Sequence, residues 1–438
     1  MLKNFLKGLV IILMLIGIGY GISITVEREI PEKNAKMAEV NIYNKIQTRS
    51  AELTNFYTYG KAFNITGKIS NISKDNLENV KIVITDGLDY EQSYTLNYNF
   101  EDAYLVFSSD NEINNGIILD NLSYGKYYIL LRLTLNNSIE PRYYSFSNSS
   151  TYNSLDYYTI TKENSNKKAE ISFSDKTYNG KEYKLSSIEI EETILPENIY
   201  DIVIDAGHGG SDVGEKVGSI TEADLTLEYA KLLKGNLEAN GYKVKLTRDD
   251  NNTGTYTYTN MYDSNGRISI ACSSKAKLMI SFHINNGYDN FNGFEIYAPC
   301  KSNLNFAGEM ADKIKKSSSI LFSNNTSFKK RDGVYVRNFT NNVIKDFEST
   351  AKKKGYEPYN ITTDTPYLYT IREVGGIATG AYVDGRNKDY SKNEYYNSNH
   401  GIECYQIELG YIKKDLEIIQ NEKQNYISAI TEAICNNF

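Results

Sequence analysis

Histidine and cysteine are scarce in this 438-residue chain, and each scarcity narrows the chemistry that the chain can carry. The histidines are His208, His283 and His400, and the cysteines are Cys272, Cys300, Cys404 and Cys435. No two cysteines form a C-x-x-C pair, and a chain of this length does not need disulfides to stabilise a core, so we interpret the cysteines as buried thiols. No histidine precedes His208, so any imidazole chemistry must take place in the segment from residue 208 onwards.

An excess of positive charge is also missing. The chain has 48 lysines and arginines against 55 aspartates and glutamates, which gives a net charge of −7. We therefore expect no binding of nucleic acid, because such binding depends on basic residues that neutralise phosphates. With 40% hydrophobic and 24% charged residues, the composition excludes a disordered or collagen-like chain, and the length predicts two domains rather than one.

No charged residue occurs between Gly8 and Val26. As a helix with about 1.5 Å per residue, this run would span roughly 28 Å, close to the hydrocarbon core of a bilayer. Lys3 and Lys7 precede it, so the positive-inside rule predicts a cytoplasmic segment 1–7, a transmembrane anchor 8–26 and an extracytoplasmic remainder. A cleaved signal peptide is the alternative, but no A-x-A site follows the run, and we favour an uncleaved single-pass anchor in the cell membrane.

The next part of the chain, after a juxtamembrane linker at 27–47, has the pattern of an all-β domain. Runs such as 62–69, 80–84 and 127–135 alternate apolar and polar residues, and turn sequences such as Asn179-Gly180 separate them. We predict a β-sandwich-like domain at 48–190 and a linker at 191–198. The domain contains no histidine or cysteine, which excludes a metal site built on nitrogen or sulfur ligands. We interpret its many tyrosines as half-buried strand residues rather than as a binding surface.

The segment 199–438 alternates strand-like runs with helical patterns, which is typical of an α/β domain with a mostly parallel sheet. Three runs lead to a candidate reactive residue: Tyr200–Ile204 to His208, Leu278–Phe282 to His283, and Cys404–Ile407 to Glu408. In open α/β sheets, ligands bind outside the carboxyl ends of the strands. We therefore expect these three side chains to face the same crevice.

Glu222 is a fourth candidate, in the first turn of a helix for which Thr221 is the predicted N-cap. Taken alone, such a glutamate is best explained by the helix dipole, but its position beside the His208 loop favours a ligand role. Two imidazoles and a carboxylate suit a catalytic zinc ion, and a further carboxylate can act as the base in amide hydrolysis. The spacing is not H-E-x-x-H, so the thermolysin-type helix motif is absent.

Four segments resemble, in order, the motifs of the zinc-dependent N-acetylmuramoyl-L-alanine amidases of the type 3 family. The segments are Ile204–Asp212 (IDAGHGGSD), Glu222–Leu225 (EADL), Ser281–Asn285 (SFHIN) and Glu408–Tyr411 (ELGY). The resemblance covers about residues 198–438 and implies a three-layer α/β amidase domain at 199–438. It also implies that His208, Glu222 and His283 hold one zinc ion, and that Glu408 is the catalytic carboxylate. The implied substrate is peptidoglycan, cleaved between N-acetylmuramic acid and the L-alanine of the stem peptide.

Five further residues are candidates for substrate binding or for support of the site: Arg248, Arg267, Asn285, Glu295 and Arg372. Either of the first two arginines could bind a stem-peptide carboxylate or hold the scaffold by an ion pair, and we favour the structural role. Glu295 is interpreted as supporting rather than catalytic. His400 follows a turn-like stretch with no motif around it, and we predict that it is a solvated loop residue.

The stretch between His283 and Glu408 is longer than a minimal domain requires. Parts of it, about 338–365 and 375–399, could cover the cleft or be passive surface loops. We expect that an activator or regulatory protein, if one exists, acts on the insertion 286–402 or on the β-domain.

Two other functions stay open at this point. One is a catalytically weak or silent amidase-fold protein that binds or assembles the cell wall, although such proteins commonly lose at least one reactive residue and all four are present here. The other is a zinc amidohydrolase with a small substrate. We favour it less, because a membrane anchor and an exported β-domain suit a polymeric substrate better.

Overall fold

The computed structural model describes most of the chain. The described residues are 33–109, 116–136, 138–159, 166–251, 266–286, 290–300, 302, 304–355, 361–376 and 399–438. The expected membrane segment, Gly8–Val26, lies outside them. Among the described residues, no helix is long and apolar enough to cross a bilayer.

The segment 51–192 is called the β-region, and its described residues form two sheets. The strands are β1 (Ala51–Tyr59), β2 (Ala62–Ser70), β3 (Leu77–Thr85), β4 (Glu91–Thr95), β5 (Asn97–Glu101), β6 (Tyr104–Ser108), β7 (Ile117–Ile118), β8 (Gly125–Leu135), β9 (Arg142–Tyr144), β10 (Phe146–Asn148), β11 (Leu155–Tyr158), β12 (Lys167–Tyr178) and β13 (Lys181–Glu192). Two short 3-10 helices, Lys74–Asn76 and Leu119–Asn121, lie between β2 and β3 and between β7 and β8. The first sheet has the order β10-β1-β2-β6-β5, with β7 on β2, and the second has the order β11-β12-β13-β8-β3-β4, with β9 on β8.

The two sheets of the β-region share one apolar core. Phe56 and Phe107 from the first sheet belong to the same buried cluster as Leu131 and Ile188 from the second. In β12, buried residues alternate with more exposed ones, as expected for a strand with one face on a core. The alternation of apolar and polar residues in the sequence therefore places one face of this strand on the core.

A helix, α1, comprises the first described residues, 33–45, within the segment expected to be a linker. Ile42 and Tyr43 pack on the outer face of the second sheet, in a cluster with Leu130 and others. The Tyr43 ring stacks on Tyr178 at 4.6 Å between centroids. The segment before the β-region is thus partly helical and attached to the sheet.

Residues 199–438, which we call the α/β-region, contain the remaining elements. The strands are β14 (Ile202–Ala206), β15 (Lys216–Val217), β16 (Ile220–Thr221), β17 (Val244–Leu246), β18 (Leu278–Asn285), β19 (Glu295–Tyr297), β20 (Lys329–Arg331), β21 (Val334–Tyr335), β22 (His400–Gly401) and β23 (Glu403–Tyr411). The helices are α2 (Glu222–Ala239), α3 (Arg267–Ser273), α4 (Leu304–Ser317), α5 (Asn341–Lys354), α6 (Tyr369–Val374), α7 (Ile412–Asn421) and α8 (Lys423–Asn437).

The main sheet of the α/β-region has the order β17-β14-β18-β23-β19-β21-β20. The pairs from β17 to β23 are parallel, whereas β19 runs antiparallel to β23 and β20 antiparallel to β21. Side chains of α2, α4 and α8 form a large core on one face, and side chains of α3 and α6 form a smaller core on the other. The predicted mixed α/β architecture with a mostly parallel sheet is confirmed, and helices lie on both faces.

The two regions are joined by strand pairing. β22 adds to β1 in parallel, and the amide of Thr58 donates to the carbonyl of Asn399 at 2.8 Å. The side chain of His400 lies at this junction, with Nδ1 3.2 Å from Oγ1 of Thr58, and burial together with Lys277 and Lys275 lowers its pKa to about 3. The prediction that His400 is a solvated loop residue is therefore wrong, because the β-region covers it.

The cysteines differ in their surroundings. Cys272 and Cys404 are buried in the smaller core, as predicted, whereas Cys300 and Cys435 are partly exposed.

Candidate active site

One face of the main sheet carries the reactive side chains. Along β14, β18 and β23, alternate residues such as Ile204, Ile280 and Ile407 belong to the larger core under α2, α4 and α8. His283 and Glu408 have the opposite parity, so they lie on the face against which α3 and α6 pack. They are cross-strand neighbours near the carboxyl ends of β18 and β23. Strand parity and parallel register together place this histidine and this carboxylate side by side.

His208 lies in the tight loop after β14. Its φ of 61° is in the left-handed region, and backbone hydrogen bonds run in both directions between Gly209 and Asp212. Nδ1 of His208 is 2.9 Å from Oδ2 of Asp212. A Cβ at Gly207 would lie 2.6 Å from Cε1 of His283. The glycine therefore allows the His208 loop to approach His283 closely.

Glu222 is the first residue of α2. The helix begins after the N-cap Thr221, whose side chain accepts from the amide of Asp224, as the sequence predicts. The carboxylate is buried and accepts hydrogen bonds from the backbone amides of Ile284 at 2.8 Å and Glu215 at 2.9 Å. These bonds fix the carboxylate inside the site, so its position is not explained by the helix dipole alone.

His208, Glu222 and His283 form a compact donor set. Oε1 of Glu222 is 3.0 Å from Nε2 of His208 and 3.2 Å from Nδ1 of His283, and one ligand-type atom from each residue lies within 4.8 Å of the others. Nε2 of His283 is buried and has no hydrogen-bond partner in the part of the chain that the structure describes. Two imidazoles and a carboxylate, with one nitrogen left unsatisfied, fit the donor set of a catalytic zinc ion.

The charges of these side chains depend on one another. Burial opposes ionisation of Glu222, but the hydrogen bonds and positive charge of the two histidines hold its pKa well below the ordinary value. Burial likewise opposes protonation of His208, whereas hydrogen bonds to Glu222 and Asp212 raise its pKa to about 9. Glu222 therefore stays ionised at neutral pH, as a metal-binding carboxylate must.

Glu408 lies beside the donor set and is not part of it. Its side chain is buried, and burial raises its pKa to about 7; the positive charge of His283 opposes this shift and the negative charge of Glu222 adds to it. A carboxyl group that exchanges its proton near neutral pH is suited to act as a general acid and base.

Glu295 forms a polar cluster next to Glu408. It is fully buried on β19 and is the cross-strand neighbour of Glu408. Its carboxylate accepts hydrogen bonds from the side chains of Asn285, Tyr297, Ser323, Asn325 and Tyr411. Asn285 and Glu295 thus have supporting positions. The sequence did not single out Ser323 or Asn325, whereas Tyr411 ends one of the four motifs and could have been found from it.

Arg248 is buried under the His208 loop. Its guanidinium donates to the backbone carbonyls of Ala206, Gly207 and Ala223 at 2.8 to 2.9 Å. These bonds tie the loop after β14 to the first turn of α2. They agree with the structural role that we favour for this arginine.

Arg267 forms a buried ion pair with Asp205. Its Nη1 is 3.1 and 3.2 Å from the two carboxylate oxygens, and its Nη2 donates to the carbonyl of His208 at 2.9 Å. Asp205 also accepts from the hydroxyls of Thr247 and Ser281. This aspartate supports the loop that carries His208, and no sequence pattern distinguishes it from the rest of its motif.

Arg372 lies on α6 and is bonded to its own neighbourhood. It donates to the carbonyls of Tyr367 at 2.7 Å and Pro366 at 3.3 Å, and its Nε is 3.2 Å from the carboxylate of Glu373. These bonds hold the turn before α6.

In the stretches expected to cover the cleft, residues 341–354 form α5, while most of 375–399 lies outside the described residues.

Comparison with known proteins finds an N-acetylmuramoyl-L-alanine amidase and an endolysin among the similar proteins. The germination-specific N-acetylmuramoyl-L-alanine amidase of Bacillus subtilis is 34% identical over 97 residues, which are 21% of this chain and 41% of that relative. The endolysin of Bacillus phage SPP1 is 33% identical over 112 residues, which are 25% of this chain and 38% of the endolysin. This chain therefore matches about two fifths of the length of these relatives.

Among solved structures, the N-acetylmuramoyl-L-alanine amidase AmiC2 of Nostoc punctiforme aligns with 55% of this chain and 96% of its own, at 22% identity and a TM-score of 0.33. The sequence profile of the N-acetylmuramoyl-L-alanine amidase family matches residues 202–437, more than half of the chain, and these residues include the His208 loop, Glu222, His283 and Glu408. The chain belongs to the N-acetylmuramoyl-L-alanine amidase family.

Proposed function

We propose that this chain is a zinc-dependent peptidoglycan hydrolase that cleaves the amide bond between N-acetylmuramic acid and the L-alanine of the stem peptide. The observation that carries the proposal is the convergence of His208, Glu222 and His283 within 4.8 Å, with Glu408 on the neighbouring strand opposite His283. The family match supports the same reaction.

The residues of the site have separate roles in this reaction. His208, Glu222 and His283 would hold the zinc ion, which when bound acidifies a water molecule and polarises the scissile carbonyl. Asp212 binds Nδ1 of His208 and so turns Nε2 towards Glu222. Glu408 takes a proton from the attacking water and returns it to the leaving amine nitrogen, for which a pKa of about 7 is well suited.

We also propose that Gly8–Val26 anchors the protein in the cell membrane as a single-pass segment, with the remaining chain extracytoplasmic. The uncharged run after Lys3 and Lys7 supports this topology. Peptidoglycan lies outside the cytoplasmic membrane, and a tether keeps the enzyme close to it. Cell fractionation tests the proposal: the full chain should sediment with membranes, and a variant without residues 1–26 should not.

The test of the activity compares the full chain with three glutamate variants, Glu408→Gln, Glu222→Gln and the control Glu417→Gln. Purified protein is incubated with denuded sacculi, released muropeptides are identified by mass spectrometry, and the zinc content is measured. Wild type and Glu417→Gln, an exposed control on α7, should bind zinc and release free stem peptides. Glu408→Gln should bind zinc and lose release by roughly 10²- to 10⁴-fold, the usual effect of removing a general base.

Other outcomes would contradict the assignment. If Glu408→Gln lost zinc while Glu222→Gln kept it, the ligand and the base would be exchanged. If the wild type bound zinc and released nothing, the result would favour a silent wall-binding protein, or an enzyme that needs an activator acting on 286–402 or on the β-region; addition of cell extract separates these two.

A further inference from the structure

Gln406 lies directly behind the proposed base. It precedes Glu408 by two residues on β23, so both side chains project from the same face of the strand. Gln406 is buried, and its Nε2 donates to Oε1 of Glu408 at 2.8 Å. We propose that Gln406 is a positioning residue that fixes the orientation of the Glu408 carboxylate. The inference rests on the proposed function, in which Glu408 is the base.

The amide of Gln406 is itself oriented by α6. The hydroxyl of Thr370, which is buried, donates to Oε1 of Gln406 at 3.3 Å. With its oxygen held in this way, the amide presents its NH2 group to Glu408. The opposite orientation would place an amide oxygen against a carboxylate oxygen, which is repulsive when Glu408 is ionised. The ionised Glu408 therefore selects the NH2 end of the Gln406 amide, and the hydroxyl of Thr370 holds the oxygen end in place.

The surroundings of Glu408 make such a donor necessary. Glu408 is only 7% exposed, so water solvates its carboxylate poorly, and its cross-strand neighbour Glu295 carries a second buried carboxylate. Glu295 has side-chain donors of its own, among them Tyr297 and Tyr411. A buried carboxylate without a donor pays a desolvation cost and rotates towards whatever polar group is near. The bond from Gln406 holds Glu408 in one rotamer beside His283.

The same face of β23 shows that this is not ordinary core packing. Gln406 is the cross-strand neighbour of Ser281 on β18 and of Tyr297 on β19. An apolar residue in this place would extend the smaller core, where Cys404 and Met279 already lie. A glutamine instead continues the polar row to Thr370 on α6, which is 36 residues away in sequence.

The first test uses the full chain with three variants. Gln406→Met keeps the length of the side chain and removes the donor, and Thr370→Val keeps the shape and removes the hydroxyl. Ile407→Val, on the opposite face of β23, is the packing control. Zinc content, kcat and KM for muropeptide release, and the dependence of kcat/KM on pH are measured for each.

We expect Gln406→Met to lower kcat by roughly 10- to 100-fold, the effect of losing a hydrogen bond to a charged group, with little change in KM or zinc content. The acidic limb of its pH profile should move to higher pH, because the ionised form of Glu408 loses a donor. Thr370→Val should act in the same direction by about tenfold or less. Ile407→Val should keep the wild-type profile. A wild-type profile in Gln406→Met would overturn the inference.

The second test does not depend on activity. The chain contains five glutamines, so selective 15N-glutamine labelling gives a simple spectrum of side-chain amides. Tyr405-Gln406 is the one Tyr-Gln pair in the sequence, so added 13C-tyrosine labelling identifies the Gln406 backbone amide and, by through-bond correlation, its side-chain amide. The Gln406 side-chain signals should move in Glu408→Gln and stay unchanged in the control Glu417→Gln. Signals that keep the wild-type position in Glu408→Gln would refute the contact, and because this test does not use Gln406→Met, it decides even if that variant does not fold. An inactive wild type would instead overturn the proposed function, and the inference with it.

Discussion

The two ends of strands β18 and β23 carry similar residues in opposite surroundings. At the carboxyl end, His283 and Glu408 are neighbours, Nε2 of His283 is left without a hydrogen bond among the described residues, and the pKa of Glu408 is raised to about 7 by burial. At the amino end, Lys277 and Glu403 are also buried, and Tyr157 and Gly60 of the β-region lie against them. The carboxyl end thus has the features of a reactive site, and the amino end is the surface on which the β-region packs.

The amino end shows how a docking surface satisfies buried charge. Nζ of Lys277 lies 3.8 Å from the centre of the Tyr157 ring, and burial lowers its pKa to about 8. Glu403 accepts a hydrogen bond from the hydroxyl of Tyr405. Burial alone therefore does not identify a catalytic residue; what sets the carboxyl end apart is the unsatisfied Nε2 of His283 beside a carboxyl group whose pKa is near neutral.

The largest difference between the two ends is expected when one histidine is removed from each end in two separate variants. His283→Ala should lose bound zinc and reduce muropeptide release to background, because it removes a ligand. His400→Ala, the matched control at the amino end, should keep both. Metal analysis and muropeptide release on the two variants check this. Loss of zinc from His400→Ala would contradict the assignment of the metal to the carboxyl end.

A smaller effect is expected from adding a methyl group at the junction. Gly60 has a φ of 58°, and a Cβ there would lie 2.7 Å from Oε2 and 3.0 Å from Cβ of Glu403. Gly180 has a φ of 73° with no atom within 4 Å of such a Cβ. Both Gly→Ala variants carry similar backbone strain, so the difference between them isolates the contact between the two regions.

We expect Gly60→Ala to be less stable than Gly180→Ala by about 1–3 kcal/mol, the usual cost of overpacking. Urea unfolding measures the difference. Zinc content and activity at room temperature should be unchanged in both variants. Equal stability of the two would mean that the contact between Gly60 and Glu403 does not constrain the junction.

The smallest effect is a dependence of stability on pH. Burial, together with Lys277 and Lys275, lowers the pKa of His400 from 6.5 to about 3, so between these values the unfolded chain binds a proton that the folded chain does not. Above pH 6.5 His400 is neutral in both states, so it does not lower the free energy of unfolding. As the pH falls from 6.5 towards 3, protonation of the unfolded chain lowers that free energy. Between about pH 7.5 and pH 5, wild type should lose about 1 kcal/mol more than His400→Ala, allowing for partial exposure of the side chain. Thermal unfolding at both pH values measures it, and parallel losses would contradict it.

Much of the candidate site could be predicted from local patterns. The runs before His283 and Glu408 have the length and composition of buried parallel strands, and carboxyl ends of parallel strands share an edge. Thr221 marked the start of α2 and so placed Glu222 in its first turn. The structure brings these residues and His208 together.

The parts that the sequence did not predict depend on long-range packing. His400 lies in a turn-like sequence, and only the pairing of β22 with β1 shows that it is covered. The bond from Thr370 to Gln406 requires α6 to pack on β23, which no local pattern indicates. The parity of Gln406 with Glu408 was visible in the sequence, but parity alone does not distinguish a hydrogen-bonding partner from a core residue.

The pairing of β1 with β22 also sets an order of events during synthesis. Thr58 and His400 are 342 residues apart in sequence, so the ribosome completes β1 long before its partner exists. Until then, the amides of Thr58 and Gly60 lack the carbonyls of Asn399 and Gly401 that they bond in the folded chain. Such distant contacts form slowly, and an open strand edge pairs readily with other chains. A nascent or truncated chain that ends before residue 399 is therefore the species most exposed to aggregation.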